Sequence, residues 1–457
     1  MSVPRLVVAA MEPGPALELA AGALLATLGR QQTARAVLIG LDVHLWNLLY
    51  AASDKAPRVL DPALHDDAAA AELCGRWAEN CDLSLYVAVR PVLDTWEGVP
   101  GSRPVDIAQR LDAPVVLVLD ARERGATAAA AVYGACALAG RAEVGGLIVV
   151  GSEDGPNNEL MAALRRDIKL PLLGKIPLQL SEQFMRQRAV TTGTMRTFGA
   201  KADPGSELRL CSEAASYLNA DDLLAAAARR GYVPAVPRRL FNSETNAIDL
   251  RLAVAWGPPL QPLGLENIDL LQAAGVELVP LHLGRDRLLP PDVNGLIIAG
   301  QLDEGQIADF AANDELLAEL ADKIGSGLPT LAIGGGALLL LRRLSDSRGR
   351  SYDLAGVFPA EAELIEWYER PRYMRTTATR ANPYDEGDNV LYELFDLEFL
   401  VLEQESFAYR IAGDGADIGE GFAIARCLAT TLYPSFALSP GMASRFIAAM
   451  RLAGSWR

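Results

Sequence analysis

Histidine, cysteine and net positive charge are all scarce in this sequence. Only three histidines, His44, His65 and His282, occur among 457 residues, and they lie far apart. A zinc site needs clustered His or Cys ligands at short spacing, so the usual zinc motifs are excluded. The formal net charge is −16, which leaves no basic stripe for a nucleic-acid backbone. We therefore expect neither a metal site nor nucleic-acid binding.

The five cysteines are also few, and no two of them form a CxxC pair. An odd number of scattered cysteines fits a reduced, intracellular chain better than a disulfide framework. No run of 18 purely apolar residues is present, and the apolar start of the chain meets Glu12 and Pro13 too early for a signal peptide. We therefore expect a cytoplasmic protein without membrane insertion, whose cysteines are small core residues.

The composition that remains is that of a globular protein. Hydrophobic residues make up 50% of the chain and charged residues 22%. A chain of 457 residues is too long for one ordinary core, and roughly 150 residues per domain predicts two or three domains.

Short β-branched runs alternate with Ala-rich or amphipathic stretches through the first half of the chain. Fully apolar strands separated by helices are typical of βαβ units, in which a parallel sheet is covered on both faces. The sequence therefore predicts a doubly wound α/β domain over residues 1–235. The predicted strands are 6–10, 36–39, 83–89, 115–119 and 146–150, and the clearest predicted helices are 16–28 and 68–78.

A proline-broken, basic stretch at 231–239 precedes a second alternation. Apolar runs at 252–255, 295–299 and 329–333 repeat the α/β pattern, and a more β-rich tail follows at 399–403 and 407–411. We place a linker at 236–248 and a second α/β domain at 249–457.

Several segments match one known family in order and spacing. They are GSRPVDIAQRLDAPVVLVLD at 101–120, LPLLGKIP at 170–177, GLIIAGQLDE at 295–304, LPTLAIGGGAL at 328–338 and GVFP at 356–359. Over nearly its whole length the sequence resembles a cobyrinic acid a,c-diamide synthase. The resemblance implies a mostly parallel, dethiobiotin-synthetase-like P-loop domain followed by a class I glutamine amidotransferase-like α/β domain. Asp120 then ends a strand at the ligand crevice of the first sheet.

The resemblance implies an ATP site in the first domain, and the residues that such a site needs are altered. A P-loop holds phosphates and Mg²⁺ with glycines, a Lys and a Ser or Thr. Here Gly14 aligns with a loop glycine, Leu17 with the Lys and Glu18 with the Thr. We expect Glu18 to repel a triphosphate, or simply to lie in the first turn of a helix. Asp42 and Asp94 also align with this site, and we interpret them as solvated surface acids, with a weak Mg²⁺ site as the alternative.

The resemblance implies a glutaminase site in the second domain, and its residues are altered as well. The family uses a Cys nucleophile on a sharp turn and a distant His. Gly334 stands at the nucleophile position, Tyr433 and Ser435 stand in the family's His-x-His-Phe segment, and Leu397 and Leu400 replace two further histidines. We therefore expect no catalytic residue. Ser435 has no His near it in the alignment and no nucleophile-elbow pattern around it.

Three consecutive glycines, Gly334, Gly335 and Gly336, remain at the nucleophile turn, and Glu398 also remains from the family pattern. The glycine backbone N–H groups could hold a carboxylate or phosphate without reacting. The alternative is a tight turn that needs positive φ angles.

The ATP site and the glutaminase site that the resemblance implies both lack their catalytic residues, while the segments between them still match the family. We therefore expect a catalytically degenerate relative that acts as a binding, scaffold or partner subunit. It either binds a partner protein in a homo- or hetero-oligomer, for which a catalytic relative is one candidate, or holds a small ligand such as a tetrapyrrole between its domains. No cofactor is expected, apart from weak MgATP binding. The alternative is an ATP-dependent amide ligase of tetrapyrrole biosynthesis that uses free ammonia or a catalytic group from a partner.

A third hypothesis is a regulatory sensor that recognises a carboxylate through arginine. The candidate cations are Arg90, Arg186, Arg188 and Arg375. We interpret these four side chains as solvated surface charge.

Overall fold

A computed structural model describes the chain except for residues 1–2, 31, 54, 154, 156–157, 197–203, 230–238, 242–249, 256, 258–259, 262–263, 403–405, 414–417 and 455–457. The chain divides into two compact units, which are Met1–Gly193 with Ala202–Pro237, and Thr194–Lys201 with Arg238–Arg457. The predicted linker at 236–248 lies outside the described residues except for 239–241.

Seven strands form the centre of the first unit. They are β1 Arg5–Ala10, β2 Ala34–Ile39, β3 Arg58–Leu60, β4 Leu83–Ala88, β5 Val115–Asp120, β6 Val144–Ser152 and β7 Leu172–Pro177. Their order in the sheet is β3-β2-β4-β1-β5-β6-β7, and every pairing is parallel. The chain starts in the middle and winds outward to both edges, which confirms the predicted doubly wound sheet.

Helices cover both faces of this sheet. They are α1 Pro15–Leu28, α2 Val43–Ser53, α3 Asp67–Ala78, α4 Pro104–Arg110, α5 Thr127–Leu138, α6 Glu159–Asp167, α7 Leu178–Arg196, α8 Pro204–Ala214 and α9 Ala220–Ala227. Helix α1 begins at Pro15, where the missing N–H of proline leaves no hydrogen bond unmade. Nearly all of α1 is buried, because it packs against α2 and α8 as well as the sheet.

The second unit contains a mostly parallel sheet and a mixed sheet. Its strands are β8 Arg251–Ala255, β9 Leu260–Gln261, β10 Glu277–Leu281, β11 Gly295–Leu302, β12 Thr330–Gly334, β13 Leu341–Ser345, β14 Ser351–Asp353, β15 Phe358–Ala378, β16 Asp388–Leu402, β17 Tyr409–Ile411, β18 Ile418–Glu420, β19 Phe422–Ile424 and β20 Cys427–Thr430. Its helices are α10 Leu265–Ala273, α11 Ile307–Ala311, α12 Asp314–Gly325, α13 Gly335–Leu338 and α14 Pro440–Gly454.

The mostly parallel sheet has the order β10-β8-β11-β12-β20-β19, and its first four pairings are parallel. This confirms the predicted second α/β domain architecture. In the mixed sheet, β15 and β16 form a long antiparallel ribbon of 21 and 15 residues. The sequence pattern predicted only a short strand at 399–403 in this region. Charged outward-facing residues and register shifts near Glu366 and Arg372 interrupt the apolar alternation, so the pattern underestimates the ribbon.

All five cysteines are free thiols. Cys74, Cys211 and Cys427 are buried as predicted, whereas Cys81 and Cys136 are only partly buried. Burial raises the pKa of the Cys74 thiol to about 11, so this thiol stays protonated. Within the described part of the chain, no helix is long and apolar enough to cross a bilayer.

Candidate functional site

Strand β12 ends in a sharp turn at Gly334, the position that aligns with the family's nucleophile. Gly334 has φ +62° and ψ −126°, which glycine adopts without the steric strain of a side chain. Gly335 and Gly336 do not have positive φ, so the predicted need for positive φ is correct for Gly334 alone. A Cβ at Gly335 would lie 2.6 Å from the Leu302 nitrogen, and one at Gly336 would overlap the Ile298 carbonyl. These two glycines are required by the close packing of α13 on β11.

The aromatic ring of Tyr433 fills the space in front of Gly334. A Cβ added to Gly334 would overlap Cζ and the hydroxyl of Tyr433. The hydroxyl donates a hydrogen bond to the Gly300 carbonyl at 2.9 Å and accepts one from the Gly335 N–H. Burial raises the pKa of Tyr433 well above its ordinary value, so the phenol is neutral and remains a donor.

Two further contacts hold Tyr433 in this position. Its ring stacks on Tyr392, with centroids 4.9 Å apart and an interplanar angle of 7°, and its N–H donates to the Tyr392 carbonyl at 2.8 Å. Asn267 clamps the following residues, because its side chain donates to the Pro434 carbonyl and accepts from the Phe436 N–H, both at 2.8 Å. Tyr433 is therefore fixed by its backbone, its ring and its hydroxyl.

The other residues predicted for the glutaminase site do not lie together at the Gly334 turn. Ser435 is buried, Leu397 is partly buried beside Leu364, and Leu400 is 52% exposed. Glu398 is exposed and lies six residues along β16 from Tyr392, roughly 20 Å for an extended strand.

The predicted ligand set of three glycines and Glu398 is therefore not one site in this structure. The three glycines are buried, and the Gly335 N–H already donates to Tyr433. Sequence reasoning missed Gly300 and Tyr392, because both lie far along the chain and carry no motif of their own.

A buried charge cluster lies where the P-loop position was predicted. Gly14 has φ +141° at the start of α1, and Leu17 is buried in its first turn. Glu18 is only 6% exposed, and its carboxylate accepts from Arg188 Nε at 2.8 Å and from a terminal guanidinium nitrogen at 3.2 Å. His44 Nε2 lies 3.5 Å from Glu18 and 3.3 Å from Glu207.

Glu18 lies in the first turn of α1, which confirms the second of its two interpretations, and it is paired with Arg188 in a buried position. Burial raises the pKa of Glu18, while His44 and Arg188 act to lower it. The Arg188 side chain is 12% exposed, so its interpretation as solvated surface charge is wrong. No local motif connects these residues, since Glu18 and Arg188 are separated by 170 positions.

The remaining predicted acids lie at strand ends and have different surroundings. Asp42 is buried, and its Oδ1 accepts from the Leu45 N–H at 3.0 Å, so its interpretation as a solvated acid is wrong. Asp94 is exposed, as predicted. Asp120 accepts from Arg122 Nε at 2.8 Å. Where the structure describes the chain, no three His, Cys, Asp or Glu residues are arranged to hold a metal ion.

The three other candidate arginines of the sensor hypothesis lie apart from this cluster. Arg90 stacks over Trp96 at 5.3 Å and pairs with Glu97. Arg186 is 68% exposed and lies 3.6 Å from Glu182, and Arg375 is exposed on β15. Arg186 and Arg375 therefore match the predicted surface charge.

The carboxyl of Glu393 on β16 has an unusual pKa that gives a testable pH dependence. Burial, reinforced by Asp396, raises this pKa from 4.5 to about 7. The folded state therefore binds more protons than the unfolded state between these values, and the stabilisation present at low pH is lost as the pH rises through about 7.

The unmodified protein should lose unfolding free energy between about pH 5 and 8. In Glu393→Gln this loss should be smaller by roughly 1–2 kcal/mol, a figure lowered to allow for solvent screening of the partly exposed carboxyl. Urea unfolding at several pH values measures it. The matched control is Glu398→Gln on the same strand, which is exposed and should leave the pH slope unchanged. Parallel curves for Glu393→Gln and the unmodified protein would contradict the expectation.

Comparison with known proteins finds relatives for both units. Residues 251–394 match the model of the CobB/CobQ-like glutamine amidotransferase domain. A cobyrinate a,c-diamide synthase of Dehalococcoides mccartyi strain CBDB1 is 26% identical over 462 aligned positions, which cover 98% of each chain. A hydrogenobyrinate a,c-diamide synthase of Streptomyces coelicolor is 26% identical and covers 79% of this chain and 80% of its own.

Two solved structures show more distant similarity. PurLQS from Thermotoga maritima has a TM-score of 0.29 and 14% identity, and the match covers 45% of this chain and 99% of that chain. Chloroplast FtsY from Physcomitrella patens has a TM-score of 0.29 and 13% identity, with 38% and 59% coverage.

Proposed function

We propose that this chain, which is similar to the cobyrinate a,c-diamide synthases over nearly its whole length, does not hydrolyse glutamine and acts in the cytoplasm as a binding, scaffold or partner subunit. The observation that carries the proposal is the position of Tyr433, whose phenol takes up the volume that a side chain at Gly334 would need.

Glutamine hydrolysis of this class requires a nucleophile and a base that takes its proton. Gly334 offers no side chain, and the neutral Tyr433 hydroxyl donates to the Gly300 carbonyl. In a working glutaminase, a backbone N–H next to the nucleophile stabilises the oxyanion of the intermediate. The Gly335 N–H has this position here, but it already donates a hydrogen bond to the Tyr433 phenol. A substrate carbonyl would have to displace a ring that is fixed at three points.

The buried cluster in the first unit supports the same proposal for ATP. Glu18 and Arg188 satisfy each other at the start of α1, so the arginine already has a carboxylate as its anionic partner. A triphosphate bound there would lie beside Glu18, and its repulsion from that carboxylate would oppose binding.

The direct test is ammonia release from glutamine, with the Dehalococcoides mccartyi relative assayed in parallel as the positive control. We expect no release above buffer, with or without MgATP and cobyrinate. Release at a rate within about tenfold of the relative would overturn the proposal, since loss of one catalytic group already costs more than about 10²-fold.

The second candidate is an ammonia-dependent amide ligase. It is favoured by the extent of the similarity, because a match over 98% of the chain includes the whole first unit, the part that would use ATP. Calorimetric titration with MgATP and an assay for amide formation with ammonium salts distinguish the two. Binding at micromolar affinity together with amide formation would establish the ligase and contradict the scaffold proposal.

A further inference from the structure

A cleft of about 290 Å³ lies between helices α7 and α8 of the first unit. Each helix contributes three positions at the i, i+3, i+4 spacing of a single helix face. No acid is among the described residues that line the cleft, although the whole chain has 58 acidic and 42 basic residues. Two of the lining side chains are arginines, so the cleft is locally cationic. The lining residues are Gln183, Arg186 and Gln187 of α7 and Ser206, Arg209 and Leu210 of α8.

Most of the polar side chains in this cleft have donors to spare. Among the residues that the structure describes, the side chains of Gln183, Ser206 and Arg209 form no hydrogen bond or ion pair. Arg186 lies 3.6 Å from Glu182, one turn earlier on α7, and an exposed pair of this kind contributes little stability. Guanidinium, amide and hydroxyl donors on two facing helices are therefore available to a ligand.

The acids nearest the cleft offset its positive charge only in part. Glu207 belongs to α8, but its side chain is 1% exposed and lies 3.3 Å from His44 in the buried cluster. Glu182 is 49% exposed and therefore hydrated. More distant charges are screened beyond about 8 Å at physiological salt. At contact distance the two arginines outweigh the net charge of −16.

We propose that the cleft between α7 and α8 binds a small phosphoryl dianion, either inorganic phosphate or the phosphate group of a monoester. Two guanidinium groups match the charge of about −1.5 to −2 that a phosphoryl group carries near neutral pH. A phosphate presents several acceptor oxygens around one centre to donors from both helices, whereas a carboxylate presents two. The cleft volume lies just below the roughly 300–1,000 Å³ of ligand pockets, which favours a single phosphoryl group over a whole nucleotide.

A phosphate bound in this cleft would join two helices that also meet at the buried cluster. Helix α7 supplies Arg188 to Glu18, and α8 supplies Glu207 to His44. The proposal goes beyond the function proposed above, because neither the Gly334 turn nor the start of α1 lines the cleft. Its test measures phosphate binding and therefore fails or succeeds independently of any glutaminase or ATP assay.

Calorimetric titration of the full chain with inorganic phosphate at constant ionic strength tests the site. We expect one site per chain and a dissociation constant of about 0.1–1 mM. Arg209→Gln should weaken binding more than tenfold, because it removes a charged donor that has no other described partner. Arg186→Gln should weaken it several-fold, since Glu182 already competes for this arginine.

The matched control is Arg165→Gln on α6. Arg165 is exposed, forms no ion pair with any described residue and lies outside the cleft, so the dissociation constant should stay within about twofold. Circular dichroism of each variant confirms that the fold is retained. No saturation by about 20 mM phosphate, or an Arg209→Gln protein that binds as tightly as the unmodified one, overturns the proposal.

A change that tightens binding gives a test of opposite sign. Glu182→Gln should lower the dissociation constant by about twofold to fivefold, because it releases Arg186 and removes a carboxylate that repels the ligand. The matched control is Glu159→Gln on α6, which is exposed outside the cleft and should leave the dissociation constant unchanged. Unchanged binding in Glu182→Gln would overturn the assignment of Arg186 to the site.

Two further probes identify the source of the phosphoryl group. Methyl phosphate that binds at least as tightly as inorganic phosphate supports a monoester as the ligand, and clearly weaker binding supports free phosphate. Succinate tests a dicarboxylate of similar charge. Succinate binding as tight as that of either phosphate would overturn the assignment to a phosphoryl group, because it would show that charge alone decides binding.

Discussion

Replacing Gly334 with alanine should lower the free energy of unfolding of the second unit by about 2–4 kcal/mol, the sum of an overpacking cost and the cost of a side chain at positive φ. The new methyl group would overlap the phenol of Tyr433, which cannot move aside without breaking its bond to the Gly300 carbonyl. Urea unfolding measures the change. The matched control is Gly325→Ala at the exposed end of α12, where a Cβ meets nothing within 4 Å and the effect should be small.

A double-mutant cycle assigns this cost to Tyr433. Tyr433→Ala alone should be destabilising, because it removes a buried ring and two hydrogen bonds. In the Tyr433→Ala background, Gly334→Ala should cost only the positive-φ contribution of about 1 kcal/mol. The two effects should therefore be less than additive by about 1–3 kcal/mol. Strict additivity would mean that the ring does not occupy the space in front of Gly334.

Removing the carboxylate of Glu18 should be one of the most destabilising single changes in the first unit, at about 3–5 kcal/mol for Glu18→Ala. Arg188 is 12% exposed and its guanidinium pairs with this carboxylate, so the change removes a charged hydrogen-bond partner from a buried arginine. The matched control is Glu12→Ala. Glu12 pairs with Arg124 but is 55% exposed, and the change should cost less than about 1 kcal/mol.

A double variant distinguishes two causes of the stability lost in Glu18→Ala, which are the broken ion pair and the loss of side-chain packing. An apolar pair of similar volume, Glu18→Leu with Arg188→Met, should recover most of the stability lost in Glu18→Ala, since replacing both partners also removes the cost of burying two charges. A Glu18→Ala protein as stable as the unmodified one would show that the carboxylate is solvated. In that case, solvent would screen Glu18, and its repulsion of a triphosphate would be weaker than in a buried site.

The β15–β16 ribbon is the part of the fold that the local sequence pattern predicted least well. Its predicted end at 399–403 overlaps β16, but the pattern did not predict strands of 21 and 15 residues. A ribbon that projects charged residues on one side has no continuous apolar run, and its register shifts break the period of two. Cross-strand pairing, which joins residues far apart in the chain, decides its length.

The sequence by itself determined the two α/β sheets, because strands buried on both faces must be continuous apolar runs and their alternation with helices leaves few topologies. It also determined that Gly334 is no nucleophile, since residue identity decides that chemistry. Only the tertiary structure decided that Tyr433 fills the empty position and that Glu18 is paired with Arg188. These contacts join residues with no local relationship, and the cost of burying a phenol or a charge becomes apparent only when its partners are known.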